Sequence, residues 1–217
     1  MTVDVETLAA YDAFAADYAE DWLAQPPPTD LQDAVRAHFR CGADGGFAAD
    51  IGCGSGRDVD WLNRHGYPCV GFDASDALLA EAQARYPDWR FERTSLPDLH
   101  EISPRTFDSV VCETVLMHLP REAIAPAIDH LRRILVADGT LYLSWRVGDV
   151  DRRDERGRLY TAFDATLVLD ALDGMTILHS AEATSTPSGH RIHAVVARAN
   201  GNAFTRKPER TLQENDR

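Results

Sequence analysis

The run Gly52-Cys53-Gly54-Ser55-Gly56 has the composition of a turn built to touch a ligand. Glycines let the backbone bend sharply and let another molecule approach closely. The segment before it, GFAADI at residues 46–51, is apolar, and the segment after it, from Arg57, alternates like a helix. A strand that enters a glycine turn and leaves as a helix presents unpaired backbone N–H groups at the turn. An acid, Asp73, closes the next apolar stretch about 20 residues on, where a carboxylate can accept two hydrogen bonds from ribose hydroxyls. A second acid, Asp50, stands directly ahead of Ile51-Gly52. It would repel a pyrophosphate and attract a cation. Further along, Glu113-Thr114 and then His118 follow an apolar stretch, and Arg146 follows another. With an ordinary pKa near 6.5, His118 can take a proton from a nucleophile or simply pack and hydrogen-bond. Arg146, Arg152, Arg153, Arg156 and Arg158 lie close together, with Tyr160 beyond them and Asp149, Asp151, Asp154 and Glu155 between them. Either the guanidinium groups receive an anionic or zwitterionic substrate, or they pair with these neighbouring acids.

The elements that must position these residues alternate in type. Apolar stretches at 46–51, 68–72, 89–92, 107–113 and 140–146 read as strands. Helical patterns at 57–65, 75–86 and 120–135 separate them, the last with Pro126 inside it, and 137–139 reads as a turn. Such alternation predicts right-handed βαβ units and a parallel sheet covered on both faces. Ligands then sit beyond the carboxyl ends of the strands, where the residues above fall. Ahead of the sheet, residues 4–24 carry a helical stripe of Leu8, Tyr11, Phe14, Ala15, Tyr18 and Trp22, which Pro26-Pro27-Pro28 ends. A second helix starts near Thr29 or Asp30. Behind the sheet come a charged stretch at 147–160, a helix at 164–172 and strands at 175–184 and 191–199. Residues 201–217 have little apolar content and read as a disordered tail. The domain is expected over 1–200, with 1–45 as a helical cover.

The loop is G-x-G-x-G, with Arg57 where a dinucleotide fingerprint would place its third glycine. A cofactor with an ammonium and a sulfonium suits Asp50 better than a pyrophosphate does, and S-adenosylmethionine has both. With these motifs the chain resembles the class I S-adenosylmethionine-dependent methyltransferases, of the small-molecule type. Ala49-Asp50-Ile51-Gly52-Cys53-Gly54-Ser55-Gly56 and Gly71-Phe72-Asp73-Ala74-Ser75 match the first two family motifs. Phe107–Cys112 with Val115-Leu116-Met117-His118-Leu119, and Leu131–Leu135 leading to Leu141–Ser144, are also similar. The resemblance covers residues 8–199. It implies a Rossmann-like, doubly wound, three-layer αβα fold whose seven-stranded sheet is parallel except for an antiparallel last strand. It implies a cofactor site of Asp50, Gly52, Cys53, Gly54, Gly56 and Arg57, with Asp73, Ala74 and Ser75 at the ribose. Glu92 or Thr94, with Ser95 and Leu96, falls at the adenine, and Glu113 and Thr114 complete the site. Tyr11 and Tyr18 of the opening helix are lid residues or core aromatics. Arg146, Arg153, Arg156 and Tyr160 are the substrate-binding candidates, and His118 the catalytic one.

Charge and composition narrow the function further. The 217 residues carry 22 basic and 35 acidic side chains, a net charge of -13. Such a chain repels polyanions, so nucleic-acid and anionic-membrane partners are not expected. No apolar run approaches the roughly 20 residues that span a bilayer. The start, MTVDVETLAAYDAFAADY, has acids where a signal peptide has bases, which reads as cytoplasmic. Cys41, Cys53, Cys69 and Cys112 show no C-x-x-C pair, so reduced thiols are expected and a metal site is not. The expected partner is a small-molecule substrate, and the chain is expected as a monomer or homodimer. The alternatives are a metalloid-type methyltransferase, hinted at by Val115-Leu116-Met117, an NAD-dependent oxidoreductase on a related fold, and a non-catalytic cofactor-binding protein.

Overall fold

In the computed structural model, residues 4–25, 28–185 and 188–201 are described. The expected tail, beyond Gly201, lies outside them. Seven strands form one sheet: β1 (Ala48–Ile51), β2 (Cys69–Asp73), β3 (Phe91–Arg93), β4 (Phe107–Glu113), β5 (Leu135–Arg146), β8 (Met175–Thr184) and β9 (Arg191–Ala199). Their order is β3-β2-β1-β4-β5-β9-β8. Only β9 runs against its neighbours, pairing antiparallel with both β5 and β8. The sheet therefore has the Rossmann-like form expected, with its last strand reversed.

Burial explains why these stretches are strands. All four residues of β1 are buried, as are six of seven consecutive residues from Thr140 to Arg146, so both faces of the central strands are covered. On one face, α6 (Arg121–Arg133) and α7 (Ala165–Ala171) place Ile124, Ile128, Leu131 and Val168 against Val110, Leu141 and Leu143. On the other, α3 (Thr29–His38) and α4 (Arg57–Arg64) place Leu31, Val35, Val59 and Leu62 against Val111, Tyr142 and Val196. Helix α5 (Asp76–Arg85) starts at Ser75, whose hydroxyl accepts the Leu78 N–H at 3.1 Å.

Three local expectations are corrected. The single helix at 4–24 is two, α1 (Val5–Ala13) and α2 (Ala15–Ala24), broken at Phe14 with φ -123°. No glycine or proline announces that break. The third strand begins two residues late because Trp89 turns inward, its ring N–H donating to Asp60 at 2.8 Å. The turn expected at 137–139 sits within β5, and Asp138 takes φ 61° where the register slips between Phe107 and Ser109. The charged stretch after β5 also holds a small ribbon, β6 (Arg152–Arg153) against β7 (Leu159–Tyr160).

Candidate active site

The strand order reverses between β1 and β4, so the loops after these strands diverge and open a cleft at their carboxyl ends. Helices α1 and α2 cover it. The cleft has an apolar lobe of about 780 Å³ and a polar lobe of about 610 Å³, each including its mouth. Both lie in the roughly 300–1,000 Å³ range of small-molecule sites. Tyr11, Trp22, Gly52, Gly54, Glu113, Thr114 and His118 border both lobes.

The apolar lobe is organised around Asp73. One carboxylate oxygen accepts the Gly54 N–H at 2.8 Å and the other accepts the Ser75 N–H at 2.9 Å. Burial raises its pKa, and these backbone donors oppose the rise. Each oxygen has a further lone pair for a donor in the lobe. Ala74, Leu78, Thr94, Ser95 and Leu96 form the adjoining wall. Of the two candidates at this point, Thr94 lines the lobe, its hydroxyl donating to Glu101 at 2.6 Å. Glu92 pairs with Arg90 instead.

The polar lobe is lined by Asp50, Cys53, Ser55, Arg57 and Asp58 around the glycine loop. Gly54 has φ 54°, and a Cβ there would come within 2.5 Å of the Trp22 ring. The loop thus needs glycine both for its backbone and for the lid above it. Asp50 is buried, and its pKa is well above the ordinary value, first through desolvation and then through Asp58, Glu113 and Asp73. The hydroxyl of Ser55 is buried without a partner among the described residues. An acid held against its preference to ionise and an orphaned hydroxyl are both relieved by a ligand carrying an ammonium and a carboxylate.

Glu113 ends β4 directly opposite Ser144, which donates to it at 2.5 Å. Burial pushes its pKa up to about 7. His118, in a short 3₁₀ turn (Leu116–His118), is pushed down to about 4 by burial, and Arg158 and Arg146 add to the effect. Its Nδ1 lies 2.6 Å from the Leu159 carbonyl, which can only accept, so that nitrogen carries the proton. Nε2 is then free to accept from the Tyr11 hydroxyl at 2.9 Å. The same Leu159 donates its N–H to Thr7 at 2.8 Å, and Asp12 of α1 accepts from Ser75 at 2.6 Å. Helix α1 is thereby bonded to the β6–β7 ribbon and to the cap of α5, while α2 lays Trp22 over the cleft.

Several sequence candidates stand off the cleft wall. Gly56 caps α4 with φ 85° against Phe91, and Ser75 caps α5. Tyr18 is buried beneath Arg156 and Arg158, which lie 4.8 and 4.6 Å from its ring centre. Arg156 also covers Phe14 and reaches Asp17, and Arg153 pairs with Asp4 at 2.8 Å and Glu6 at 3.2 Å. These two arginines hold the lid down from outside. Of the four substrate-binding candidates, Arg146 and Tyr160 line the polar lobe. Arg153 is itself exposed but grips the largely buried Asp4 carboxylate with two nitrogens, so Arg153→Ala should cost about 1 kcal/mol of stability and leave ligand affinity in the cleft unchanged. A thermal melt and a titration of S-adenosylhomocysteine check both. The wall also holds Trp22, Arg158, Asp58 and Met117, outside the expected set. Trp22 was visible as the last member of the opening aromatic stripe. Arg158 differs from its neighbours only through its place on the ribbon, where it bonds Asp154 at 2.7 Å and lies over Tyr11, Tyr18 and Tyr160.

Residues 48–139 match the family described as Methyltransferase domain. The chain is 32% identical over 100 residues to a ubiquinone biosynthesis O-methyltransferase of Paracidovorax citrulli, covering 44% of this chain and 41% of that protein. The aligned part thus spans less than half the length of that relative. A protein of the same name from Coxiella burnetii (strain Dugway 5J108-111) is 25% identical over 197 residues, covering 84% of this chain and 79% of its own. Among solved structures, the fold superposes with TM-score 0.71 and 19% identity on a Burkholderia thailandensis 1,6-didemethyltoxoflavin-N1-methyltransferase, solved with S-adenosylhomocysteine and 1,6-didemethyltoxoflavin bound. The match covers 90% of this chain and 88% of that one. Residues 48–139 thus match a methyltransferase domain, on a fold shared with S-adenosylmethionine-dependent methyltransferases of solved structure. Among the described residues no group of His, Cys, Asp or Glu is arranged to hold a metal ion. No described helix is long and apolar enough to cross a membrane.

Proposed function

We propose that the chain methylates a small anionic or zwitterionic molecule at the expense of S-adenosylmethionine. The observation that carries this reading is the pairing of two buried acids across the glycine loop: Asp73, its two oxygens fixed by the Gly54 and Ser75 N–H groups, and Asp50 at the other end. In this reading Asp73 takes the ribose hydroxyls. Ala74, Thr94, Ser95 and Leu96 take the adenine side, and Asp50 with Ser55 and Arg57 takes the amino-acid end. When bound, the cofactor supplies a methyl group activated on a sulfonium. Glu113, Thr114 and His118 face the space where an acceptor must lie, and the lid of Tyr11 and Trp22 keeps water out of it. The net charge of -13 favours a small acceptor over a nucleic acid.

His118 enters the reaction as a neutral imidazole with its lone pair on Nε2, the state a proton acceptor needs. Tyr11 occupies that lone pair, so an acceptor proton reaches it after Tyr11 turns aside or by way of the Tyr11 hydroxyl. If His118 acts so, His118→Asn lowers kcat by about 10²-fold and leaves cofactor affinity alone. An unchanged kcat assigns the residue to packing.

The test of the whole reading is incubation with labelled S-adenosylmethionine and a metabolite panel, scoring label transfer and release of S-adenosylhomocysteine. Binding of NADH in place of S-adenosylhomocysteine would overturn it.

A further inference from the structure

A third lobe opens on the same sheet face beyond the cofactor lobes, and we propose that it is the acceptor chamber and takes a small monocarboxylate held by Arg146. The proposal rests on the reading of the first two lobes as the cofactor cleft. The third lobe has about 910 Å³ of open space, mouth included, between Ala183, Thr184, Ser185 and Ile192 on one side and Gln25, Pro28 and Thr29 on the other. It shares Trp22, Arg57, Glu113, Thr114 and Arg146 with the polar lobe, so the two communicate at the ends of β4 and β5.

Arg146 is the guanidinium on these walls that the protein leaves uncommitted. Arg57 is engaged by Asp58, its Nε at 3.0 Å and a terminal nitrogen at 2.9 Å. Arg158 is engaged by Asp154. Arg146 forms no ion pair among the described residues, and its Nε is buried there without a hydrogen-bond partner. Among the described residues its guanidinium lies over the face of Tyr160, 5.7 Å from the ring centre. A buried donor without an acceptor is costly, and a carboxylate that takes Nε–H and a terminal N–H together fits the fork of the guanidinium.

Position along the strand adds the reach. Tyr142, Ser144 and Arg146 alternate onto one face of β5, and Glu113 of β4 lies opposite Ser144. A molecule whose carboxylate rests on Arg146 therefore has its other end beside Glu113 and Thr114, where the lobes meet. The charge count restricts the ligand. Glu113 and Asp30 also line this lobe, so a dianion such as a phosphate ester meets two acids and one free cation. A single carboxylate meets its match.

Benzoate and its neutral isostere benzamide, titrated into the S-adenosylhomocysteine complex by calorimetry, test the proposal. Benzoate should bind roughly tenfold more tightly than benzamide, the scale of a hydrogen bond to a charged group. Arg146→Gln should erase that difference. Ala183→Trp, a change on β8 that borders this lobe and a groove beside α3 but neither cofactor lobe, should block benzoate and spare S-adenosylhomocysteine. Equal binding of the two probes, no saturable benzoate binding, or a preference that survives in Arg146→Gln overturns the chamber. Failure of the parent protein to bind S-adenosylhomocysteine would instead overturn the cofactor reading on which the chamber rests.

Discussion

Asp73→Ala should remove most of the affinity for S-adenosylhomocysteine and weaken the fold in the same step. The carboxylate has two duties. Inward, it accepts the Gly54 and Ser75 N–H groups, which tie the glycine loop to the start of α5. With alanine there, two backbone donors lose a charged acceptor, and each buried donor left unpaired costs about 1–3 kcal/mol. Solvent reaching the emptied site reduces this, so a stability loss of about 2–4 kcal/mol is expected. Toward the cleft, the same oxygens offer their remaining lone pairs. Losing two hydrogen bonds to a charged group from a ligand costs about 3 kcal/mol, or more than 100-fold in affinity. Calorimetry below the melting transition separates the two effects. Asp73→Asn is the graded control, since its amide oxygen still accepts one N–H while its NH₂ group opposes the other. Stability lost with affinity unchanged would leave Asp73 as a loop anchor only.

The place of Asp73 was legible because it is set locally. The strand, the glycine turn and the acid that ends the next strand lie within about 25 residues, and the βαβ unit fixes their relation. The same holds for Asp50 and for Glu113, each at a strand end that apolar runs mark. Arg153 and Arg156 were misplaced for the opposite reason. An arginine among acids carries no sign of which carboxylate it meets, and the partners of these two, Asp4, Glu6 and Asp17, lie far away in the chain. Only the docking of α1 and α2 onto the ribbon brings them together. The break at Phe14 was hidden because no residue with helix-breaking chemistry stands there. Trp22 illustrates a middle case. Its period placed it on the buried stripe, but that the stripe faces a ligand cleft follows from the sheet beneath it.

Glu113→Gln should make the protein more stable at pH 8. Burial at the end of β4 raises the Glu113 carboxyl from an ordinary 4.5 to about 7 in the folded state. Between those values the folded chain keeps a proton that the unfolded chain releases. Its contribution is therefore whole below about pH 4.5, declines as pH rises, and is gone above about 7. His118 has the opposite sign. Its folded pKa of about 4 lies below the ordinary 6.5, so its contribution is whole above 6.5 and is lost as pH falls toward 4. Over the shared window the two slopes oppose each other, and the parent profile is flatter than either alone. Glutamine keeps the shape of the side chain and can still accept from Ser144, but it has no proton to lose. The difference between variant and parent isolates this one carboxyl from Asp50 and Asp73, which are also raised. The full shift would be worth about 3 kcal/mol, and because Glu113 faces the cleft and its water, a gain of about 2 kcal/mol at pH 8 is expected. At pH 4 the two proteins should differ little from this source. Thermal melts at both pH values check it: a variant no more stable than the parent at pH 8 would mean that the cleft solvates this carboxylate well enough to ionise it at its ordinary pKa.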